Sequence, residues 1–261
     1  MQNFSVWKVT LLVLVVGLLS FVSYGVWAAP SGSEVLANVD QAMKAESKVM
    51  SQTMTLITAS GQQRTRELQM WSKQNPSGDQ MLARFLAPAD VRGTGILMNA
   101  EDMWLYLPAL GRVRRVASHA KKGSFMGSDL SYDDMEQLGS KGFCQDFEAS
   151  LLGEEVLEGA DTYLLQLRPV NEDSDYLYLK MWVDRQVWLP RKIEYFGEKD
   201  TVLKVLTTWD LQQIEGRWVA QQMIMEDRQK GSKTVLDVQE VSFAVELDDA
   251  LFSTRTLERG L

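Results

Sequence analysis

From Met50 onward, apolar side chains recur at every second position, and the alternation returns in segment after segment of the chain. Met50, Met54 and Leu56 alternate with polar partners, Gly61-Gln62 turns the chain, and Arg64–Trp71 resumes the period. A period of two marks strands with one buried face. Asn75-Pro-Ser-Gly-Asp79 turns into a strand at Gln80–Leu86, and shorter strands follow at Ile96–Asn99, Met103–Leu107 and Arg112–Ala117. The second half repeats the theme at Phe147–Leu157, Thr162–Arg168, Tyr176–Val183, Val187–Phe196, Val202–Ile214, Trp218–Asp227 and Thr234–Ala244. Such frequent turns leave no room for crossover helices, so the sheet is expected to be antiparallel. Two stretches break the period. Leu36, Val39 and Met43 are spaced for a helix capped by Ser31 or Ser33 and ending near Glu46. Between Ala117 and Gly142 the chain is rich in Gly, Ser and Asp, with a short helical pattern at Tyr132–Leu138. The expected fold is mainly β (α+β): one strongly curved antiparallel sheet with helices on one face.

Residues 1–28 follow a different rule. Lys8 precedes an apolar run from Leu11 to Leu19, and Val26 and Ala28 stand at the −3 and −1 positions of a cut before Ala29. This is the layout of an export signal, which predicts a periplasmic protein and a single domain over residues 29–261. An uncleaved inner-membrane anchor is the alternative, but a spanning helix normally needs about 20 apolar residues and a charged flank.

Composition narrows the chemistry. The chain of 261 residues is 45% hydrophobic; residues 29–261 hold 35 acidic against 26 basic side chains, net −9. That balance argues against nucleic acid as a partner. A single cysteine, Cys144, cannot form an internal disulfide and is expected to be buried as a small hydrophobe. A Ser/His/Asp triad would need the lone histidine, His119. Gly123-Ser-Phe-Met-Gly127 lacks the spacing of a nucleophile elbow. Asp129, Asp133 and Asp134 lack the glycine and terminal Glu of a calcium loop and suit the cap of a short helix near Ser131. The expectation is a protein with no catalytic residue, metal or cofactor.

Apolar surface is abundant instead. Met54 with Leu56, Leu68 with Met70, Met81 with Phe85, and Met223 with Met225 form alternating pairs. Methionine repacks around variable apolar partners, so these residues suit either a wall for acyl chains or an ordinary core. Arg64 and Arg66 share the strand face of Leu68 and Met70, placed either to hold a lid or to lie solvated at the strand's end. Arg112, Arg114, Arg115, Lys121 and Lys122 form a basic cluster that fits an anionic lipid, an acidic partner or a charge-balanced surface.

The central segments Phe85-Leu-Ala-Pro-Ala-Asp-Val-Arg-Gly-Thr-Gly95, Trp104-Leu-Tyr-Leu-Pro108, Gly111-Arg-Val-Arg-Arg115, Gly123-Ser-Phe-Met-Gly-Ser-Asp129 and Ser131-Tyr-Asp-Asp-Met135 resemble the bacterial outer-membrane lipoprotein-sorting protein family, a LolA-like group. The resemblance implies a half-barrel around an apolar cavity with a helical lid, carrying lipid or lipoprotein acyl chains without chemistry. It also implies a resistance-nodulation-division-type inner-membrane exporter as a partner. Phe125, Met126 and Asp129 lie in the most specific segment, where Phe125 and Met126 read as a gate or partner knob, or as a loop tucked under the sheet. Within the string, Gly93 and Gly95 are expected to permit positive φ. A lipid-sensing interaction module that regulates a membrane partner is the second reading.

Overall fold

A computed structural model describes residues 29–260, so the export segment expected over residues 1–28 lies outside the described residues. Helix α1 (Gly32–Met43) starts at Ser31, whose hydroxyl accepts from the Glu34 N–H while the Glu34 carboxylate accepts from the Ser31 N–H. This reciprocal cap satisfies two backbone donors that a helix start otherwise leaves open. Six strands follow: β1 (Ser47–Ile57), β2 (Gln63–Lys73), β3 (Gln80–Ala87), β4 (Gly95–Asn99), β5 (Asp102–Leu107) and β6 (Arg112–Arg115). A connection containing α2 (Tyr132–Glu136) and a π-helical turn (Gln137–Lys141) leads to the second set. These are β7 (Phe147–Leu157), β8 (Ala160–Pro169), β9 (Tyr178–Asp184), β10 (Pro190–Phe196), β11 (Val202–Ile214), β12 (Arg217–Asp227) and β13 (Ser232–Phe243), before the C-terminal α3 (Thr254–Arg259).

The strands form one antiparallel sheet in the order β6-β5-β4-β3-β2-β1-β13-β12-β11-β10-β9-β8-β7. Each half is a meander, and the two meet where β1 pairs with β13 from Lys48↔Phe243 to Ile57↔Lys233. Among the described residues β6 and β7 each have one neighbour, so the sheet stays open. The inward positions of nearly every strand feed one apolar core, from Met103 on β5 through Met54 on β1 to Leu165 on β8. Val35, Leu36 and Val39 of α1 join it, as do Phe125, Leu130 and Met135 from the connection between β6 and β7. Each side chain so buried contributes roughly 1.5–3 kcal/mol.

That connection runs from one free edge of the sheet to the other and covers part of the inner face. Ser131 caps α2, with Asp134 closing the reciprocal bond to the Ser131 N–H at 2.7 Å. The fully buried Asp134 carboxylate also accepts from the Tyr176 hydroxyl at 3.0 Å and the Lys204 ammonium at 3.1 Å, tying α2 to the β8–β9 connection and to β11. Lys121 and Glu136 form a second buried pair at 3.0 Å within the cover. Asp129 does not cap the helix: it accepts from the hydroxyls of Ser232 and Thr234, fastening the cover to β13. At the far end the Asp40 carboxylate of α1 accepts the Phe143 and Cys144 N–H groups at 2.8 and 3.0 Å.

Three expectations are corrected. Cys144 is exposed, not buried, because its neighbours Phe143 and Gly142 take the inward positions beside Asp40. Partial desolvation, then the nearby Asp40 carboxylate, pushes its thiol up to about 12, so it is protonated at neutral pH. Gly93 does hold a positive φ of 82°, but Gly95 is set by space: a Cβ there would lie 2.6 Å from Leu257 Cδ1. Helices cover the inner face, as α1 and α2 do, yet α3 packs on the outer one with Trp71, Leu82 and Leu97. The sequence Thr254-Arg-Thr-Leu-Glu-Arg259 carries no apolar period that would announce it. Arg84 holds α3 in place, donating to the carbonyls of Gly93, Thr256 and Leu257 at 3.2, 3.1 and 2.8 Å.

Two expected outcomes follow from this packing. Arg84→Met removes donors from three carbonyls and should cost about 2 kcal/mol, with faster amide exchange confined to Thr254–Arg259; unchanged exchange there would refute the tether. Burial, only partly offset by Lys121 and reinforced by Glu136 and Asp134, raises the Asp133 carboxyl to about 6. A folded-state value above the unfolded one of about 3.9 means that stability is present below pH 4 and lost as pH rises through 6. Urea titration of Asp133→Asn should therefore show stabilisation at pH 7.5 that shrinks towards nothing at pH 4.

Candidate functional site

The inner face is filled unevenly. Under the cover, Phe125 is fully buried, with its ring centroid 6.0 Å from Phe85 and 5.4 Å from Tyr132. Arg66, partly buried on β2, lies 5.9 Å over the Phe85 ring and donates to the Met126 carbonyl. One guanidinium thus clamps the cover to the sheet through a bond and a face contact. Burial, the largest influence, lowers the Arg66 pKa, against the pull of Asp90.

Beyond the cover, where α1 ends, the core is open. A cavity of about 110 Å³ lies between the end of α1, the π turn and strands β1, β11, β12 and β13. It is roughly eight times the space one water needs. Its walls include Met43, Met50, Leu138, Val219, Met223 and Val238, mostly half-buried side chains at the margin of the core. Two cations, Lys48 and Arg217, stand among them. Arg217 donates to the carbonyls of Ala42 and Lys44 at the end of α1 and lies 5.4 Å over the Phe243 ring. Among the described residues Lys48 reaches only the Gly139 carbonyl, at 3.4 Å.

The residues singled out from the alternation divide between these two regions. Met54, Leu68, Met70, Met81, Phe85 and Met225 are buried, and Leu56 partly so, all in the continuous core. Met223 lines the open cavity. Arg64 is exposed opposite Leu56, two residues short of the cover that Arg66 reaches. Arg114 and Arg115 are exposed on the edge strand β6, where Arg115 pairs with Asp102. Met126 is partly buried in a left-handed backbone conformation, φ 52°.

Lys48 and Arg217 were not singled out, although the alternation held the signal. Lys48 shares the inward register of Met50 and Met54, and Arg217 that of Val219 and Met223. A charge in an inward register is uncommon unless a partner or a ligand is near. Two inward amides add polar atoms. Gln52 Oε1 and Gln221 Nε2 are buried and have no partner among the described residues. Among the described residues there is also no group of three or more potential metal ligands, and no helix long and apolar enough to cross a membrane.

Comparison with known proteins places this arrangement in a family. A family model described only as that of an uncharacterized protein matches residues 77–259. A search of curated sequences found no match. Among solved structures, an outer membrane lipoprotein-sorting protein domain from Vibrio parahaemolyticus is 31% identical, with a TM-score of 0.79 over 87% of this chain and 98% of its own. A DUF1329 family protein from Desulfovibrio piger is also 31% identical, with a TM-score of 0.80 over 87% and 97% of the two chains. A LolA superfamily protein from Nitrosomonas europaea shares the fold at 22% identity, with a TM-score of 0.71 over 86% and 98%. An open, curved antiparallel sheet with a strapped cover, matched at this identity over nearly the whole of its relatives, leaves one assignment: the chain belongs to the outer-membrane lipoprotein-sorting protein family of LolA-like half-barrels.

Proposed function

We propose that the protein is a periplasmic carrier that takes the apolar part of a lipid or lipoprotein into the groove of its inner face, for transfer toward the outer membrane or an exporter. The observation that carries this reading is the incompletely filled core: Met43, Met223 and Val238, packed at its margin, line an open cavity. Burial of an acyl chain gives roughly 0.8 kcal/mol per methylene, so ten methylenes supply about 8 kcal/mol, equivalent to micromolar binding. The cavity admits part of such a chain as it stands. Repacking of Met43, Met50 and Met223, or release of the Arg66 clamp, admits the rest. The Vibrio parahaemolyticus relative described as a lipoprotein-sorting protein domain supports the same reading, and the export signal expected over residues 1–28 supports the periplasm. A resistance-nodulation-division-type exporter fits as the membrane partner because a carrier needs a donor or acceptor; the basic β6 edge offers a surface for it.

Lipid mass spectrometry of the purified protein should find co-purifying acyl lipid, and the delipidated protein should take up a fluorescent fatty-acyl probe. Val219→Trp, which fills the cavity, should reduce uptake at least tenfold while leaving the thermal midpoint within a few degrees. Wild-type protein that takes up neither lipid nor acylated protein would exclude a carrier.

A further inference from the structure

The open end of the groove is apolar in its walls and cationic at one side, and this combination has a chemical meaning. Lys48 and Arg217 both line the cavity, and among the described residues neither lies within 4.0 Å of a carboxylate. The nearby acids are already engaged: Asp79 pairs with Lys44 at 3.5 Å, and Glu215 accepts the Phe243 N–H at 2.9 Å. Arg217 uses one nitrogen on the carbonyls of α1, leaving its other N–H groups without partners among the described residues. Lys48 has one long bond to a carbonyl. Burial, and then the field of Arg217, push the Lys48 ammonium down to about 8. A cation so strained relaxes when an anion arrives, since an opposite charge restores the charged form. The same protein carries a net charge of −9 over residues 29–261, so two unmatched cations facing one apolar cavity are not a by-product of a basic surface.

We propose that this groove selects amphiphiles whose acyl chain ends in an anionic group, a carboxylate or a phosphate, with the chain against Met223 and Val238 and the anion received by Lys48 and Arg217. The inference rests on the carrier reading and names its cargo class. Neutral acyl groups, such as those of an acylated lipoprotein terminus, would leave both cations unmatched. Discrimination arises because a buried charge without a counter-charge is costly, and a matched one forms charge-assisted hydrogen bonds.

The test uses delipidated protein and four probes of equal chain length: palmitate, palmitoyl lysophosphatidylglycerol, palmitoyl lysophosphatidylcholine and hexadecanol. Binding is read by calorimetry and by the change in tryptophan fluorescence, to which Trp218 at the cavity contributes. At least one anionic probe should bind tenfold or more tightly than the zwitterionic and neutral ones. Preference for palmitate identifies a free acid as the source of the anion, and preference for the lysophosphatidylglycerol identifies a phospholipid. Lys48→Met should abolish the preference for the anionic probes over hexadecanol. Arg217 also ties down α1, so its Gln variant serves only as a second measurement alongside a thermal melt. Equal affinities across the four probes, or a preference that survives Lys48→Met, would overturn the proposal and leave the carrier intact. Binding of none of them would overturn the proposal, and failure to take up an acylated protein as well would overturn the carrier with it.

Discussion

One ladder makes this molecule a single sheet. The first six strands form a meander and the last seven form another, and among the described residues only the pairing of β1 with β13 joins them into one sheet. Those strands lie almost two hundred residues apart, so their ladder requires long loop closure before it yields any hydrogen bond. Once formed, it places Met50 and Met54 beside Val241 and Leu236, near the centre of the inner face. It also moves the free edges to β6 and β7, the two strands that flank the cover. The cover therefore cannot lie elsewhere: its ends are fixed at opposite margins of the curved sheet.

The protein's own side chains fill only part of the inner face. Beneath the cover Phe85, Phe125 and Tyr132 fill the space and Arg66 locks it from the sheet side. Near the end of α1 the filling stops, leaving methionines and valines with open space before them. Close-packed interiors rarely leave such gaps, since unfilled contacts forfeit dispersion energy. A protein that retains one gives up stability at the place where a ligand can restore it.

Much of the architecture was legible because its cause is local. Alternation at Met50–Leu56 or Met81–Phe85 identifies strands and their inward faces without knowledge of the neighbours, and the Ser31–Glu34 cap announces α1. The location of the open groove was not legible, because it depends on how far the aromatic side chains of residues 117–142 reach across the sheet. Phe125 could equally have been a gate; the fold buries it. The C-terminal α3 escaped notice because six residues hold little periodicity, and its place is fixed by Arg84 and the bare surface of Gly95, far away in sequence. Arg64 and Arg66 look alike in sequence, and only the geometry of the cover makes Arg66 the clamp.

The strap between β6 and β7 differs from a hinged flap in its thermodynamics. A flap anchored at one end gains the freedom of a tail when it opens. A segment pinned at both edges of the sheet remains a closed loop, and its freedom grows only logarithmically with its length, by about 0.6 kcal/mol per doubling. Its local concentration over the groove stays high throughout. Reclosure of a lifted strap is thus a fast intramolecular event, while the cavity beyond it, at the end of α1, stays open whether the strap is down or not.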